Sequence, residues 1–290
     1  MRFSDWDPNR DLFRNPRQDP PEVVAENRRV AELRLKARNE IFETGHSQIV
    51  DLRPISAIEA ERKRNAEERR KVPQLCGPRR DTPRDWIVWH FTHVDNLPSI
   101  INQGRLLPDS EVTPAMHVAN DEVKERRRHK GVSPDAAYPT SMASDHVPFY
   151  IAAKSPMLFV VCRGYGHYIG GAGPLVHLGV GLGDIVDAGL TWCASDGNAA
   201  ATFTQFSRDL PGLGDFVDFD LLCQRDWYNT PDDGDRKSRR SAEILVLGAV
   251  PIELVSFVCC ARPETMDTVR ALLEPVGGMR NYRVQPQMYY

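Results

Sequence analysis

His90-Phe-Thr-His-Val-Asp-Asn-Leu97 and Arg239-Arg-Ser-Ala-Glu-Ile-Leu-Val246 decide how this chain is read. The first lies in a stretch, residues 86–92, with the pattern of a strand. A short helix is expected over 95–103, with Gly104 suited to a left-handed stop. Alternation puts His90 and Thr92 on one strand face and His93 on the other, so the two histidines are not placed to chelate one metal ion. In the second segment an apolar strand over 242–249 opens with an acid, and Glu243, Leu245 and Leu247 share one face. Burial at that rim would raise the Glu243 pKa, whereas Arg239 and Arg240 would lower it. Both features have plainer readings: a polar strand rim for His90 and Thr92, and a surface ion pair with Arg239 or Arg240 for Glu243.

The 290 residues allow one large domain, or one domain with an appendage. An apolar content of 41% is ordinary, and no apolar run reaches the length of a membrane span. The start, Met1-Arg-Phe-Ser-Asp-Trp-Asp-Pro8, lacks the apolar core of a signal peptide, so a cytoplasmic location is expected. Cys76, Cys162, Cys193, Cys223, Cys259 and Cys260 show no Cys-x-x-Cys spacing and read as reduced, mostly buried thiols. A net charge of −3 argues against broad affinity for nucleic acid but leaves room for a local basic channel.

Residues 1–84 are rich in charge and poor in aromatics, and read as a charged, mostly helical extension that ends in a linker around Cys76-Gly-Pro-Arg-Arg-Asp-Thr-Pro83. From residue 85 the pattern becomes that of a mixed domain. Further strands are expected at 147–151, 157–162, 175–180 and 254–260, and helices at 184–188, 199–209 and 263–273. A long polar loop around one or two helical turns fills 112–138. Without regular strand–helix alternation, the fold class is α+β.

Three motifs admit more than one reading. Lys124-Glu-Arg-Arg-Arg-His-Lys130 is either a solvated charge run or a phosphate clamp of guanidinium forks. Gly164-Tyr-Gly-His-Tyr-Ile-Gly-Gly-Ala-Gly173 and Gly179-Val-Gly-Leu-Gly183 lack the spacing of a dinucleotide turn and carry no Walker lysine. Pro231-Asp-Asp-Gly-Asp-Arg-Lys237 mimics a magnesium nuclease signature, but its acids are crowded into one loop rather than placed on neighbouring strands.

Taken in order, several stretches closely resemble the DarT family of DNA ADP-ribosyltransferase toxins. They are His90–Leu97, Lys124-Glu-Arg-Arg-Arg128, Asp145-His-Val-Pro-Phe-Tyr150, Ser155-Pro-Met-Leu158, Tyr168-Ile-Gly-Gly171, Leu175-Val-His-Leu178, Ser241-Ala-Glu-Ile-Leu-Val246 and the terminal Tyr289-Tyr290. The match runs from Trp86 to the C-terminus and leaves the first 84 residues or so outside it. The resemblance implies an ADP-ribosyltransferase fold, a split antiparallel sheet with flanking helices and NAD+ as co-substrate in the cleft. By position it assigns His90, Phe91, Thr92, Ser99, Leu107 and Arg127 to NAD+ binding, and Arg127 and Glu243 to catalysis; no metal is implied. Residues from about 192 to 243 correspond to the substrate-selecting loop, and Lys154 stands where the family often has arginine. Implied partners are single-stranded DNA and a macrodomain-type antitoxin.

Those assignments make chemical sense. Cleavage of the nicotinamide–ribose bond builds positive charge on the sugar, which a carboxylate such as Glu243 stabilises. The acceptor thymine nitrogen must lose a proton as it attacks. The family's usual description gives that proton to the arginine; a guanidinium that stays charged fits anion stabilisation better, with Glu243 taking the proton. Tyr150, Trp192, Trp227 and Tyr228 are candidate stacking platforms for DNA bases, with core packing as the alternative. Rival functions are modification of guanine or RNA, a catalytically idle NAD- or nucleic-acid-binding module, and a magnesium nuclease.

Overall fold

The computed structural model describes residues 79–118, 121–165, 167–278 and 280–290. Residues 1–78, which make up nearly all of the expected extension and include Cys76, lie outside the described residues.

Eight strands form one sheet: β1 (Ile87–His93), β2 (His146–Tyr150), β3 (Leu175–Gly181), β4 (Trp192–Ser195), β5 (Phe206–Ser207), β6 (Glu243–Leu247), β7 (Val255–Cys260) and β8 (Asn281–Val284). Their order across the sheet is β8-β7-β3-β1-β2-β6-β4-β5. Neighbours are antiparallel except β7 and β8, which run parallel from Phe257↔Asn281 to Cys260↔Val284. The expected antiparallel sheet is therefore a mixed one. It is also two sheets in all but name. β1 pairs with β3 along its whole length, from Ile87↔Gly181 to His93↔Leu175. β2 pairs with β6 from His146↔Leu247 to Tyr150↔Glu243. Between β1 and β2 the register contains a single pair, Trp89↔Tyr150. That seam is the split, and it opens beside Glu243.

Helices α1 (Leu97–Gln103), α2 (Asp121–His129), α3 (Pro156–Cys162), α4 (Leu182–Asp187), α5 (Phe219–Cys223) and α6 (Pro263–Leu273) flank the strands. On one sheet face Trp86, Val88, Leu178 and Val258 pack with Leu97 of α1 and with Met266, Val269 and Leu273 of α6. On the other, Trp89, Leu175 and Cys259 meet Leu158 and Val161 of α3 and the C-terminal Tyr289. Gly179 makes room for this packing, because a Cβ there would lie 2.7 Å from the Trp89 ring. A smaller apolar cluster of Val132, Tyr138, Ala143, Cys193 and Leu245 supports the second half-sheet. None of the five described cysteines forms a disulfide; Cys193, Cys259 and Cys260 are buried.

Two expected elements are different in the fold. Residues 157–162 form α3, not a strand. Ser155 caps it by accepting from the Leu158 amide at 3.2 Å, and Pro156 occupies the first turn, where its missing N–H costs nothing. Residues 199–209 are turns leading into β5, not a helix. The Asn198 side chain accepts from the Ala200 amide (2.9 Å), and Thr204 donates back to the Asn198 carbonyl (2.6 Å). Such local bonds compete with helical ones. Strands β4 and β8 were not expected from the sequence, and α2, which carries Lys124–His129, supplies the one or two helical turns expected within 112–138.

Two buried histidines carry a pH consequence. His146 donates Nδ1–H to the Met142 carbonyl (2.8 Å) and receives the Tyr138 hydroxyl on Nε2 (3.0 Å). His177 is bound through Nε2–H to the Ala153 carbonyl at 3.3 Å, while its Nδ1 is buried without a partner. Burial pushes both pKa values down from 6.5 to about 4. The unfolded chain therefore takes up the extra protons first, and stability present above about pH 6.5 is lost as pH falls toward 4. Each ring contributes about 1.4 kcal/mol per pH unit inside that window. Thermal unfolding should fall steadily between pH 6.5 and 5, and His177→Gln should flatten the slope. A Tm independent of pH across that interval would refute the assignment.

Candidate active site

Arg127 is the one residue of α2 that is buried. The helix has Asp121 and Glu122 in its first turn and Arg126, Arg127, Arg128 and His129 in its last, matching the helix dipole at both ends. Its outer face is solvated, with Glu125 paired to Arg128 and His129. Arg127 turns inward. Its Nη1 donates to Glu243 Oε2 at 2.8 Å and its Nη2 to the Ala143 carbonyl at 3.2 Å. Arg127 is 8% exposed and Glu243 2%. Burial by itself lowers the Arg127 pKa, but Glu243, Tyr150 and Asp109 together outweigh it, and the net shift is upward. The guanidinium is a permanent cation here.

Glu243 opens β6 opposite Tyr150. Ser195 of β4 accepts from its backbone amide at 3.1 Å and donates to the Gly197 carbonyl at 2.7 Å. The surface pairing with Arg239 or Arg240 does not occur. Arg239 binds Asp218 and Asp233 instead. Arg240 is buried and gives its Nη1 to the carbonyls of Leu221, Leu222 and Gln224, closing the end of α5, and its Nε and Nη2 to the carbonyl of Lys154. Asp233 and Asp235 of the nuclease-like run therefore face a cation from their own chain.

Across the seam stand the β1 residues. His90 donates Nδ1–H to the Pro148 carbonyl at 3.0 Å, since a carbonyl can only accept. Desolvation lowers its pKa, and the Arg127 cation adds to the shift despite that hydrogen bond. A neutral ring with Nε2 as acceptor results. His93 points the other way, edge-on to Tyr168, as alternation requires. Phe91 stacks on Tyr150, with centroids 6.0 Å apart and planes 16° from parallel, so two aromatic rings bridge the seam. Burial raises the Tyr150 pKa, and Glu243 raises it further. The Thr92 hydroxyl accepts from Asn96 Nδ2 at 3.0 Å, and the same amide group clamps Met116 through its carbonyl (3.0 Å) and its N–H (2.8 Å).

Ser99 on α1 and Leu107 just after it are half-buried. Two residues past Leu107, Asp109 holds Lys124 of α2 at 2.6 Å while its Oδ2 is buried without a partner. Lys154 lies over the Tyr290 ring, 4.4 Å from its centroid, and burial depresses its pKa. Of the candidate stacking residues, Trp192 and Trp227 belong to the interior, and Trp227 donates to the Tyr290 hydroxyl at 2.7 Å. Tyr228 is 49% exposed. Asn96, Asp109 and Ser195 were missed in the sequence; each acts through bonds to distant segments that carry no local signature.

The neutral His90 ring thus lies within electrostatic reach of the fixed Arg127–Glu243 pair beside the seam. Known proteins share this fold. Residues 89–290 match the family model described as ssDNA thymidine ADP-ribosyltransferase, DarT. A DNA ADP-ribosyl transferase of Mycobacterium tuberculosis is 70% identical over 219 residues, which cover 76% of this chain and 95% of that protein. A DNA ADP-ribosyl transferase of a Thermus species is 28% identical over 207 residues. Among solved structures, Thermus sp. 2.9 DarT in complex with ADP-ribosylated ssDNA superposes with a TM-score of 0.67 at 26% identity, covering 73% of this chain and 100% of that one. The same protein in complex with NAD+ gives 0.62 at 27% identity, covering 72% and 99%. With its match to the family model running from Trp89 in β1 to the C-terminus, this chain belongs to the DarT family of single-stranded-DNA thymidine ADP-ribosyltransferases.

Proposed function

We propose that Arg127 and Glu243 are the catalytic pair of an enzyme that transfers ADP-ribose from NAD+ to thymidine in single-stranded DNA, acting as the toxin of a toxin–antitoxin system. The observation that carries this reading is the buried Arg127–Glu243 pair at the seam of the split sheet. When bound, NAD+ supplies the ADP-ribosyl group and nicotinamide leaves. The residues lining the opening fit that co-substrate: His90 offers an acceptor, and the unpartnered Asp109 Oδ2 is an acceptor waiting for a donor such as a hydroxyl. His90, Phe91, Thr92, Ser99, Leu107 and Arg127 would hold it.

The division of labour follows from charge. Glu243, fixed at its backbone by Ser195, faces developing positive charge on the sugar and takes the proton that the thymine nitrogen gives up. Arg127 stays cationic and offsets the negative charge that builds on the base. Single-stranded DNA suits the site because its bases are already unpaired, so no base need be flipped from a duplex. The charged segment before residue 85 would be an appendage to this domain, and a macrodomain-type antitoxin its counterpart.

Removing Glu243 outright would strand the Arg127 charge, at a cost of about 3–5 kcal/mol for a broken buried pair. Glu243→Gln keeps an acceptor oxygen, so it should fold and fail only in chemistry. Mass spectrometry of a thymine-containing single-stranded oligonucleotide incubated with NAD+ should show a gain of one ADP-ribose with the native protein and none with Glu243→Gln. Modification by the variant at the native rate would remove Glu243 from the reaction.

Arg127→Lys retains the charge but cannot bind Glu243 and Ala143 together. Its kcat should drop on the order of 100-fold, the size of effect seen when one stabilising donor is lost. A near-native kcat would mean that charge alone suffices.

Addition of EDTA should leave transfer unchanged. Loss of activity with chelator, or strand cleavage without NAD+, would instead support the nuclease reading.

A further inference from the structure

Phe203 is 92% exposed, the most exposed of the large hydrophobic side chains among the described residues. It sits at the tip of the loop joining β4 to β5, and this loop is firmly held. Asp196 and Gln205 close its base through a backbone bond of 3.2 Å and a side-chain bond of 3.0 Å. Asn198 and Thr204 brace the interior. From outside, Lys130 donates Nζ to the Thr202 carbonyl at 2.9 Å and lies 5.6 Å from the Phe206 ring centre. An apolar ring presented to water on a braced turn, rather than tucked beneath it, has something to meet.

The loop is fastened to both members of the catalytic pair. Ser195, at its start, binds the Glu243 backbone. Lys130, which grips its tip, accepts through its carbonyl from the Ala143 amide (2.8 Å), and the Ala143 carbonyl accepts from Arg127. The path from Arg127 to Phe203 thus runs through the backbone of Ala143, Lys130 and the Thr202 carbonyl. Arg126 and Arg128 of α2 precede Lys130 and are exposed; the Arg126 Nε is bound to the Glu122 carbonyl and Arg128 pairs with Glu125. A rigid aromatic surface next to a lysine is what an unpaired polynucleotide recognises: stacking for a base, charge for its phosphates.

We infer that Phe203 is the stacking platform for a base flanking the target thymidine, with Lys130 as the residue that positions it. The inference rests on the site being that of a single-stranded-DNA transferase. It makes Phe203 a determinant of DNA affinity and of sequence context, with no part in NAD+ binding or in the chemical step.

Phe203→Ala, Phe203→Leu and Phe203→Trp are compared for KM toward a short thymine-containing oligonucleotide, with NAD+ affinity measured separately by calorimetry. Leucine keeps apolar bulk but not the ring. Alanine and leucine should raise KM for DNA about 5- to 150-fold, the range for one base–aromatic stack. Tryptophan should hold it near native, and NAD+ affinity should not move. Oligonucleotides carrying 2-aminopurine on either side of the thymine should show quenching at one position with native protein, and its loss with Phe203→Leu. Native KM in the alanine variant would overturn the proposal, as would leucine behaving like phenylalanine. Loss of antitoxin response alone would overturn it too, since it would make Phe203 a protein contact. If the native enzyme modifies no oligonucleotide at all, the functional reading has failed and not this assignment alone.

Discussion

A guanidinium and a carboxylate, both withdrawn from water and 2.8 Å apart, set the terms for the rest of this molecule. Burying two charges is expensive, and an apolar pair of the same volume is often no less stable. Such a pair is kept only if the surroundings satisfy the atoms it leaves over. Ala143 takes the second arm of the Arg127 fork, and Ser195 fixes the backbone from which Glu243 extends. The same cation helps keep His90 neutral. The tyrosine opposite Glu243 is held in its uncharged form by burial and by that carboxylate. One costly interaction thereby reinforces the neutral forms that burial already favours in its neighbours.

Parts of this were legible in the sequence, and the reasons are local. The alternation of His90, Thr92 and His93 needs only strand geometry, and the fold obeys it. The stop of α1 at Gly104 follows from its left-handed backbone, φ 67°. Where local signals conflict, the reading fails. Met157 to Cys162 is apolar and partly β-branched, which favours a strand, but the Ser155-Pro156 cap decides for a helix. The alanines after Asn198 favour a helix until Asn198 and Thr204 divert their backbone bonds.

The site itself was legible only through likeness. Arg127 and Glu243 are 116 residues apart, and nothing near either one announces the other. From local pattern alone, Glu243 pairs equally well with Arg239, which the fold commits to Asp218 and Asp233. Asn96, Asp109 and Ser195 illustrate the same gap. Their value lies in which distant loop they bind, and that is a property of the folded chain.

The seam at Trp89↔Tyr150 has a consequence for how such a chain can change through descent. His90, Phe91 and Thr92, proposed for the co-substrate, lie on the β1 side, whereas Arg127, Glu243, Ser195 and the Phe203 loop lie on the β2–β6–β4 side. With so little backbone pairing between the halves, insertions or exchanges in the loops of one half need not disturb the register of the other. Acceptor preference can therefore diversify under selection while the handling of the donor is inherited intact.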